Sequence, residues 1–181
     1  MKQRLFFTGP IGCGKSTAIE KALGEKFPVM GGFRTRRYRD KGLYFTLESP
    51  DSSHRETFLD LSGGEPVVNR EVLSRLAVEC IETGVPCVLD EIGGLELLCP
   101  EFMAALENLL ERDVPVIGVL KGEGPAGALM DRLGLSEAYE AAAENLRRRL
   151  QQDENTLLYT CGQFDEKALV LAENWRKEYC P

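Results

Sequence analysis

Along this chain, short continuous apolar runs alternate with segments in which apolar residues recur at helical spacing. A short continuous run is typical of a strand buried on both faces, and the helical spacing is typical of an amphipathic helix. The runs predict strands at residues 5–8, 29–34, 43–47, 85–89, 114–120 and 156–160, with a further short strand at 57–61. The helical patterns predict helices at residues 15–24, 70–83, 100–112, 128–133, 136–152 and 165–178. Alternation of this kind predicts an α/β fold with a mostly parallel sheet wrapped by helices.

Two of the predicted strands, at residues 29–34 and 43–47, lie close together in the sequence. They flank a turn at Asp40-Lys41-Gly42, so they predict a β-hairpin added to the parallel sheet. With 181 residues and no internal repeat, linker or low-complexity tract, the chain is expected to form one nucleotide-binding domain over residues 1–181.

A G-x-x-x-x-G-K-S motif directly after the first predicted strand predicts a nucleotide-binding site. Its residues are Gly9, Pro10, Ile11, Gly12, Cys13, Gly14, Lys15 and Ser16, and Thr17 follows them. A strand, this loop and a helix, in that order, are what a P-loop requires. The glycines let the backbone close around a phosphate chain, and consecutive N–H groups then point inward at the start of a helix.

Two side chains of the motif have predicted roles. Lys15 is expected to place its ammonium on the β- and γ-phosphates, and Ser16 to offer its hydroxyl to Mg²⁺. The motif therefore predicts a nucleoside triphosphate and magnesium, without deciding whether the triphosphate is hydrolysed.

A pair of acids, Asp90-Glu91, ends the apolar strand predicted at residues 85–89. Parallel sheets bind ligands at the carboxyl ends of their strands. Asp90 is therefore expected beside the phosphate loop, where it would bind Mg²⁺ directly or through water. Glu91 is expected to face the γ-phosphate and to orient or deprotonate a water molecule.

Two segments carry a resemblance to a known family. Residues 90–97 read D-E-I-G-G-L-E-L, which resembles the D-E-I-G-x-M-E-L signature of the P-loop nucleoside-triphosphatase family that includes the cancer-related nucleoside-triphosphatase. Gly32-Phe33-Arg34-Thr35, with Arg39 and Gly42, resembles the family's G-F-x-T-x-x-x-R-x-x-G segment. The resemblance covers roughly residues 5–120. It implies a P-loop NTPase three-layer sandwich with a RecA-like core, and slow hydrolysis of ATP, GTP and other nucleoside triphosphates.

The chain departs from the family pattern at three places. Arg36 stands where the family usually has an acid, the family's R-x-G-F continuation after Gly42 is missing, and Cys161-Gly162-Gln163 replaces the family's Asn-Arg after the last strand. Cys161 and Gly162 are nevertheless expected to line the nucleotide base.

The basic run from Arg34 to Arg39 is the dense cluster of positive charge near the predicted site. One of its guanidinium groups could stabilise the transition state in cis, as an arginine finger does. Arg39 is the first choice because it keeps the family position, and Arg34 is the second. The run could equally be a solvated hairpin edge, or could hold the phosphate of a second substrate or an RNA.

Composition narrows the classes of function. A net charge of −7 argues against extended nucleic-acid binding. Six cysteines without a C-x-x-C pair, and one histidine, argue against a zinc site. No apolar stretch is long enough to span a membrane and no signal peptide is evident, so a reduced, cytoplasmic protein is expected. A redox role for Cys13 would need a resolving partner, and the sequence indicates none.

The favoured function is a Mg²⁺-dependent nucleoside-triphosphatase. The first alternative is a nucleotide or small-molecule kinase, with residues 122–132 as a lid over an acceptor. The second is a switch protein in which nucleotide binding controls a partner surface. The sequence leaves open the preferred base and the oligomeric state.

Overall fold

The strands of the computed structural model, which describes residues 1–82, 86–122, 127–163 and 165–181, form one continuous sheet. Within those residues the strands are β1 (Arg4–Thr8), β2 (Gly31–Tyr38), β3 (Tyr44–Glu48), β4 (Arg55–Asp60), β5 (Val67–Val68), β6 (Cys87–Ile92), β7 (Val116–Leu120) and β8 (Thr156–Thr160). Their spatial order is β5-β4-β3-β2-β6-β7-β1-β8. The strands from β2 to β8 in that order are parallel, and those from β5 to β2 are antiparallel.

Helices cover both faces of the sheet. They are α1 (Lys15–Leu23), α2 (Ala77–Glu82), α3 (Pro100–Glu111), α4 (Gly127–Leu133), α5 (Ser136–Gln152) and α6 (Glu166–Tyr179), with a π-helical turn (Val72–Leu76) leading into α2. One core lies between the sheet and α1 and α6, around Phe7, Val88 and Trp175. The other lies beneath α2, α3 and α5, around Phe6 and Leu89. Alternate residues of a strand point to opposite faces, so each central strand contributes to both cores.

The structure confirms the predicted α/β sandwich with a mostly parallel central sheet and helices on both faces. The antiparallel part is larger than the predicted hairpin, because β2 runs on to Tyr38 and both β4 and β5 extend the sheet. Strand β5 has only two residues, Val67 and Val68, too few to give a sequence pattern. The predicted helix end at residue 83, the strand start at residue 85 and residues 123–126 of the predicted lid lie outside the described residues.

A helix that crosses a membrane needs about 20 consecutive, mostly apolar residues. None of the helices within the described ranges combines the length and the apolar character needed to cross a membrane.

Candidate active site

The loop between β1 and α1 has the backbone that the glycine motif predicts. Gly9, Gly12 and Gly14 all have positive φ, at 130°, 77° and 97°. A Cβ at Gly9 would lie 2.5 Å from the backbone oxygen of Cys161, so only glycine fits there. The loop tip is open to solvent, with Pro10, Ile11 and Thr17 exposed. The carboxyl end of β1 thus carries an accessible loop in a conformation that can surround a phosphate.

Lys15 folds back over its own loop. Its Nζ donates hydrogen bonds to the backbone oxygens of Gly9 at 3.0 Å and Pro10 at 2.7 Å. These carbonyls hold the ammonium at the mouth of the loop. A phosphate oxygen that entered the loop could replace either carbonyl as its partner, because the lysine ammonium has three donors on a flexible stem.

Ser16 and Asp90 bring the two predicted motifs together. The Ser16 hydroxyl donates to Asp90 Oδ1 over 2.7 Å. Asp90 is only 2% exposed, and burial raises the pKa of its carboxyl to about 6, against the opposing effect of the Ser16 hydrogen bond. A hydroxyl and a carboxylate at the helix start are oxygen donors of the kind that Mg²⁺ prefers, so these residues fit the predicted cation.

Glu91 occupies an irregular position at the end of β6. The register between β6 and β7 shifts between Asp90 and Ile92, and Glu91 has φ of 73°. A non-glycine residue in this left-handed region costs about 1–3 kcal/mol, so the surrounding structure must hold it there. The bulge takes the Glu91 side chain out of the regular alternation of the strand. Glu91 is partly exposed, next to the buried Asp90.

Glu96 holds the backbone that follows this bulge. Its Oε1 accepts the N–H groups of Gly93 at 2.6 Å and Gly94 at 2.7 Å, and the residue is 6% exposed. Tyr139 of α5 donates its hydroxyl to the Gly93 oxygen over 3.1 Å. A Cβ on Gly94 would lie 3.4 Å from the Lys121 Nζ. Glu96 therefore fixes the backbone of the loop after Glu91, and the Lys121 ammonium lies close to that loop.

A cavity of about 330 Å³ lies beside the same loop. Its lining includes Gly93, Lys121, Tyr139, Glu144 and Arg147. Lys121 lies at this cavity, directly after the carboxyl end of β7.

The arginines of the basic run have different surroundings. Arg34 lies opposite Asp90 in the β2–β6 register, and its guanidinium pairs with Glu48 at 3.3 Å and with Glu20 at 3.4 Å. Arg36 also pairs with Glu20 and is near enough to Asp90 to oppose the burial-driven rise of that pKa. Arg39 is exposed beyond the end of β2. Arg34 thus joins β2 to α1 and β3, while Arg36 has the more exposed side chain of the two, at 34% against 17%.

Cys161 and Gly162, the two residues predicted to line the nucleotide base, differ in their exposure to solvent. Cys161 is 2% exposed and lies beneath the phosphate loop, where its N–H donates to the Thr8 oxygen at 2.8 Å. Gly162 is exposed, and its N–H donates to Asp165 Oδ2 at 3.2 Å. Of the two, Gly162 is therefore the one that is open to a ligand.

Sequence reasoning missed two acids, Glu20 and Glu48. Glu20 lies one helical turn after Ser16 on α1, so its position on the same helix face could have been read from the spacing. Glu48 is buried at the end of β3 and accepts hydrogen bonds from Tyr38 and Thr46. That arrangement depends on the register between β2 and β3, for which the sequence has no local signal.

Comparisons with known proteins agree with this geometry. The model of the NTPase family matches residues 4–153. Nucleoside-triphosphatase THEP1 of Methanosarcina acetivorans is 33% identical over 132 residues, which cover 65% of this chain and 75% of the relative.

Two solved structures share the fold over nearly the whole chain. The crystal structure of THEP1 from Aquifex aeolicus aligns with a TM-score of 0.64 at 18% identity, covering 98% of this chain and 99% of that one. The solution structure of a human cancer-related nucleoside triphosphatase aligns with a TM-score of 0.63 at 22% identity, covering 94% of each chain. These two likenesses concern the fold alone.

Proposed function

The chain belongs to the NTPase family, and on that premise we propose that it is a Mg²⁺-dependent nucleoside-triphosphatase that hydrolyses ATP, GTP and related triphosphates to the diphosphate and phosphate. The observation that carries this proposal is the hydrogen bond of 2.7 Å between Ser16 and Asp90. It joins the start of α1, directly after the phosphate loop, to β6, in which Glu91 follows Asp90. A phosphate-binding loop, a cation site and a carboxylate for water are thus adjacent.

The loop and Lys15 bind the triphosphate. The backbone N–H groups of the loop and the start of α1 favour negative charge. The Lys15 ammonium, now on the Gly9 and Pro10 carbonyls, turns to the β- and γ-phosphate oxygens. Because these interactions are with phosphate, they are compatible with several bases, which accords with a broad range of triphosphates.

Ser16 and Asp90 would hold Mg²⁺. The cation, when bound, neutralises charge that develops on the phosphate oxygens. The buried carboxylate of Asp90, whose pKa is raised to about 6 by burial, is stabilised by a positive partner. Among the described residues, no three or more His, Cys, Asp or Glu side chains are grouped so that they alone could hold a metal ion. That suits a cation that takes its other ligands from phosphate and water.

Glu91 orients the attacking water and accepts its proton. Its carboxylate is partly exposed at the carboxyl end of β6, one residue from the Mg²⁺ site. A carboxylate at the γ-phosphate can act as a general base, a role that contributes about 10²–10⁴-fold in rate. The left-handed backbone at Glu91 supports this assignment, because strain of this kind clusters at functional sites.

The kinase alternative has no support from the sequence relative, which is named a nucleoside-triphosphatase. One assay separates it, and the switch alternative, from the proposed function. Phosphate release is measured over ATP, GTP, CTP and UTP, with Mg²⁺ or with EDTA, and repeated with nucleoside mono- and diphosphates as acceptors.

The proposed function predicts phosphate release that requires Mg²⁺ and does not require an acceptor. Release or transfer only when an acceptor is present would contradict it in favour of a kinase. Tight nucleotide binding with negligible release under every condition would contradict it in favour of a switch.

A further inference from the structure

Cys13 of the phosphate loop has a partner that is distant in sequence. Strands β1 and β8 pair in parallel with Thr8 opposite Thr160, so the segments after the two strands meet at one edge of the sheet. Cys161, the residue after β8, packs with Cys13 in one apolar cluster. The Cys13 side chain is close enough to Cys161 to contribute to the raised pKa of the Cys161 thiol. The resolving partner that the sequence did not indicate is therefore present in the fold.

The two sulfurs differ in access. Cys13 is half-buried, whereas the other five cysteines are buried. Lys15 Nζ lies 3.4 Å from the Cys13 sulfur, so a cation adjoins it. Cys161 is shielded beneath the loop, and burial raises the pKa of its thiol to about 11. Cys13 is thus the sulfur that meets a small oxidant first, and Cys161 is the sulfur that follows.

We propose that Cys13 and Cys161 form a dithiol that hydrogen peroxide converts to a disulfide, and that this disulfide closes the phosphate loop to nucleotide. In the first step the Cys13 sulfur attacks peroxide, its S–H proton leaves with the displaced hydroxide as water, and a sulfenic acid remains. In the second step the Cys161 sulfur attacks the sulfenic sulfur, the S–O bond breaks, and the hydroxide takes the Cys161 proton as a second water. Sulfur is oxidised and peroxide is reduced.

The bond acts on the loop because of where Cys13 sits. Cys13 lies between Gly12 and Gly14, whose positive φ values shape the anion-binding loop. An S–S bond of about 2 Å pulls Cys13 toward the end of β8 and away from its place beside Lys15. The N–H groups of the loop then no longer converge on one phosphate, so ATP affinity is expected to fall about tenfold or more. This closure rests on the proposed phosphate site, whereas formation of the disulfide does not.

The experiment treats the intact protein with hydrogen peroxide, blocks free thiols by alkylation, and digests it with trypsin without reduction. Cys13 and Cys161 fall in separate tryptic peptides, residues 5–15 and 150–167, each with a single cysteine. Mass spectrometry should find these two peptides linked. ATP affinity, measured by calorimetry, should fall after peroxide and return after dithiothreitol.

Two variants complete the test. Cys161→Ser, or Cys161→Ala if the serine variant does not fold, should give no linked peptide and should leave a Cys13 sulfenic acid that dimedone traps. Cys99→Ser is the matched control, because Cys99 is another buried cysteine, located ahead of α3 and outside the cluster that contains Cys13. It should behave as the wild type.

Absence of the linked peptides in peroxide-treated wild type would overturn the dithiol, as would linkage of Cys80 to Cys87 in its place. Linked peptides with unchanged ATP affinity would overturn the closure. Untreated protein that does not bind ATP would contradict both the proposed function and the closure. The linked peptides would still show whether Cys13 and Cys161 form a disulfide.

Discussion

The hydroxyl of Ser16 lies 2.7 Å from Oδ1 of Asp90, which joins the first turn of α1 to the end of β6. The bond supplies one hydrogen-bond partner for a carboxylate that is otherwise removed from water. It does not offset the burial, since the pKa of Asp90 is still raised to about 6. The ionised Asp90 carboxylate is therefore a poorly solvated negative charge at the proposed Mg²⁺ site.

The first prediction concerns Asp90→Asn and the stability of the nucleotide-free protein. The folded-state pKa of about 6 lies above the ordinary value of 3.8, so wild-type stability is lost as the pH rises through that window. The asparagine variant carries no charge. It should be more stable than wild type by about 2 kcal/mol at a pH of about 8, and this gain should shrink as the pH falls toward about 4.5.

Denaturant unfolding of both proteins in EDTA, across that pH range, measures the difference. Saturating Mg²⁺ and ATP should reverse the order, because only the wild type offers the carboxylate to the cation. A stability difference that does not change with pH would contradict the raised pKa.

Lys15→Ala should abolish ATP binding while leaving the fold intact. The ammonium bonds to carbonyls of its own loop, so its loss removes little packing. The measurement is ATP affinity by calorimetry, with thermal unfolding to verify the fold. Lys21→Ala removes an exposed lysine of the same helix and serves as the control. Wild-type hydrolysis by folded Lys15→Ala would refute the assignment of the phosphate loop.

Within the basic run from Arg34 to Arg39, loss of one arginine should lower folding stability, and loss of another should lower turnover. Arg34→Ala should cost about 2 kcal/mol of folding free energy, because it removes one charged partner of the buried Glu48 carboxylate. One guanidinium of the run should act on the γ-phosphate in transit, and its removal should lower turnover about ten- to a thousandfold with less effect on ADP affinity. The sequence favours Arg39 for this role, and the greater exposure of the Arg36 side chain compared with Arg34 favours Arg36.

Turnover, ADP affinity and unfolding free energy are measured for Arg34→Ala, Arg36→Ala and Arg39→Ala. Arg37→Ala is the control, since Arg37 is exposed and points away from Arg36 on the same strand. Wild-type turnover in all three variants would show that no arginine of the run takes part in catalysis.

Glu96 should prove to be a positioning residue for Glu91. Its Oε1 accepts both glycine N–H groups, and an amide oxygen can do the same. Glu96→Gln should therefore keep turnover near wild type, whereas Glu96→Ala should lower kcat about tenfold or more with little change in KM. Glu101→Ala changes an exposed acid at the start of α3 and should have no effect. Equal losses in both Glu96 variants would indicate that its charge, rather than its hydrogen bonds, is what matters.

The meeting of Ser16 and Asp90 follows from the sequence. Ser16 begins the helix after the loop that follows the first strand, Asp90 lies toward the carboxyl end of another strand, and parallel strands end at one edge of the sheet. The conformation of Glu91 does not, since no residue pattern signals a left-handed glutamate within a strand. The contact between Cys13 and Cys161 requires β8 to lie beside β1, a choice of neighbour that local patterns do not specify. The pairing of Arg34 with Glu48 likewise depends on an antiparallel register that only the folded sheet sets.

The central claim is that Glu91 activates the water, and the direct measurement is single-turnover hydrolysis of Mg²⁺-ATP by Glu91→Gln beside wild type. The amide keeps the shape of the side chain and cannot accept the proton. ATP affinity should therefore stay within about threefold of wild type, while hydrolysis slows by about a hundredfold or more. Hydrolysis at the wild-type rate with bound ATP would contradict the account and place water activation elsewhere.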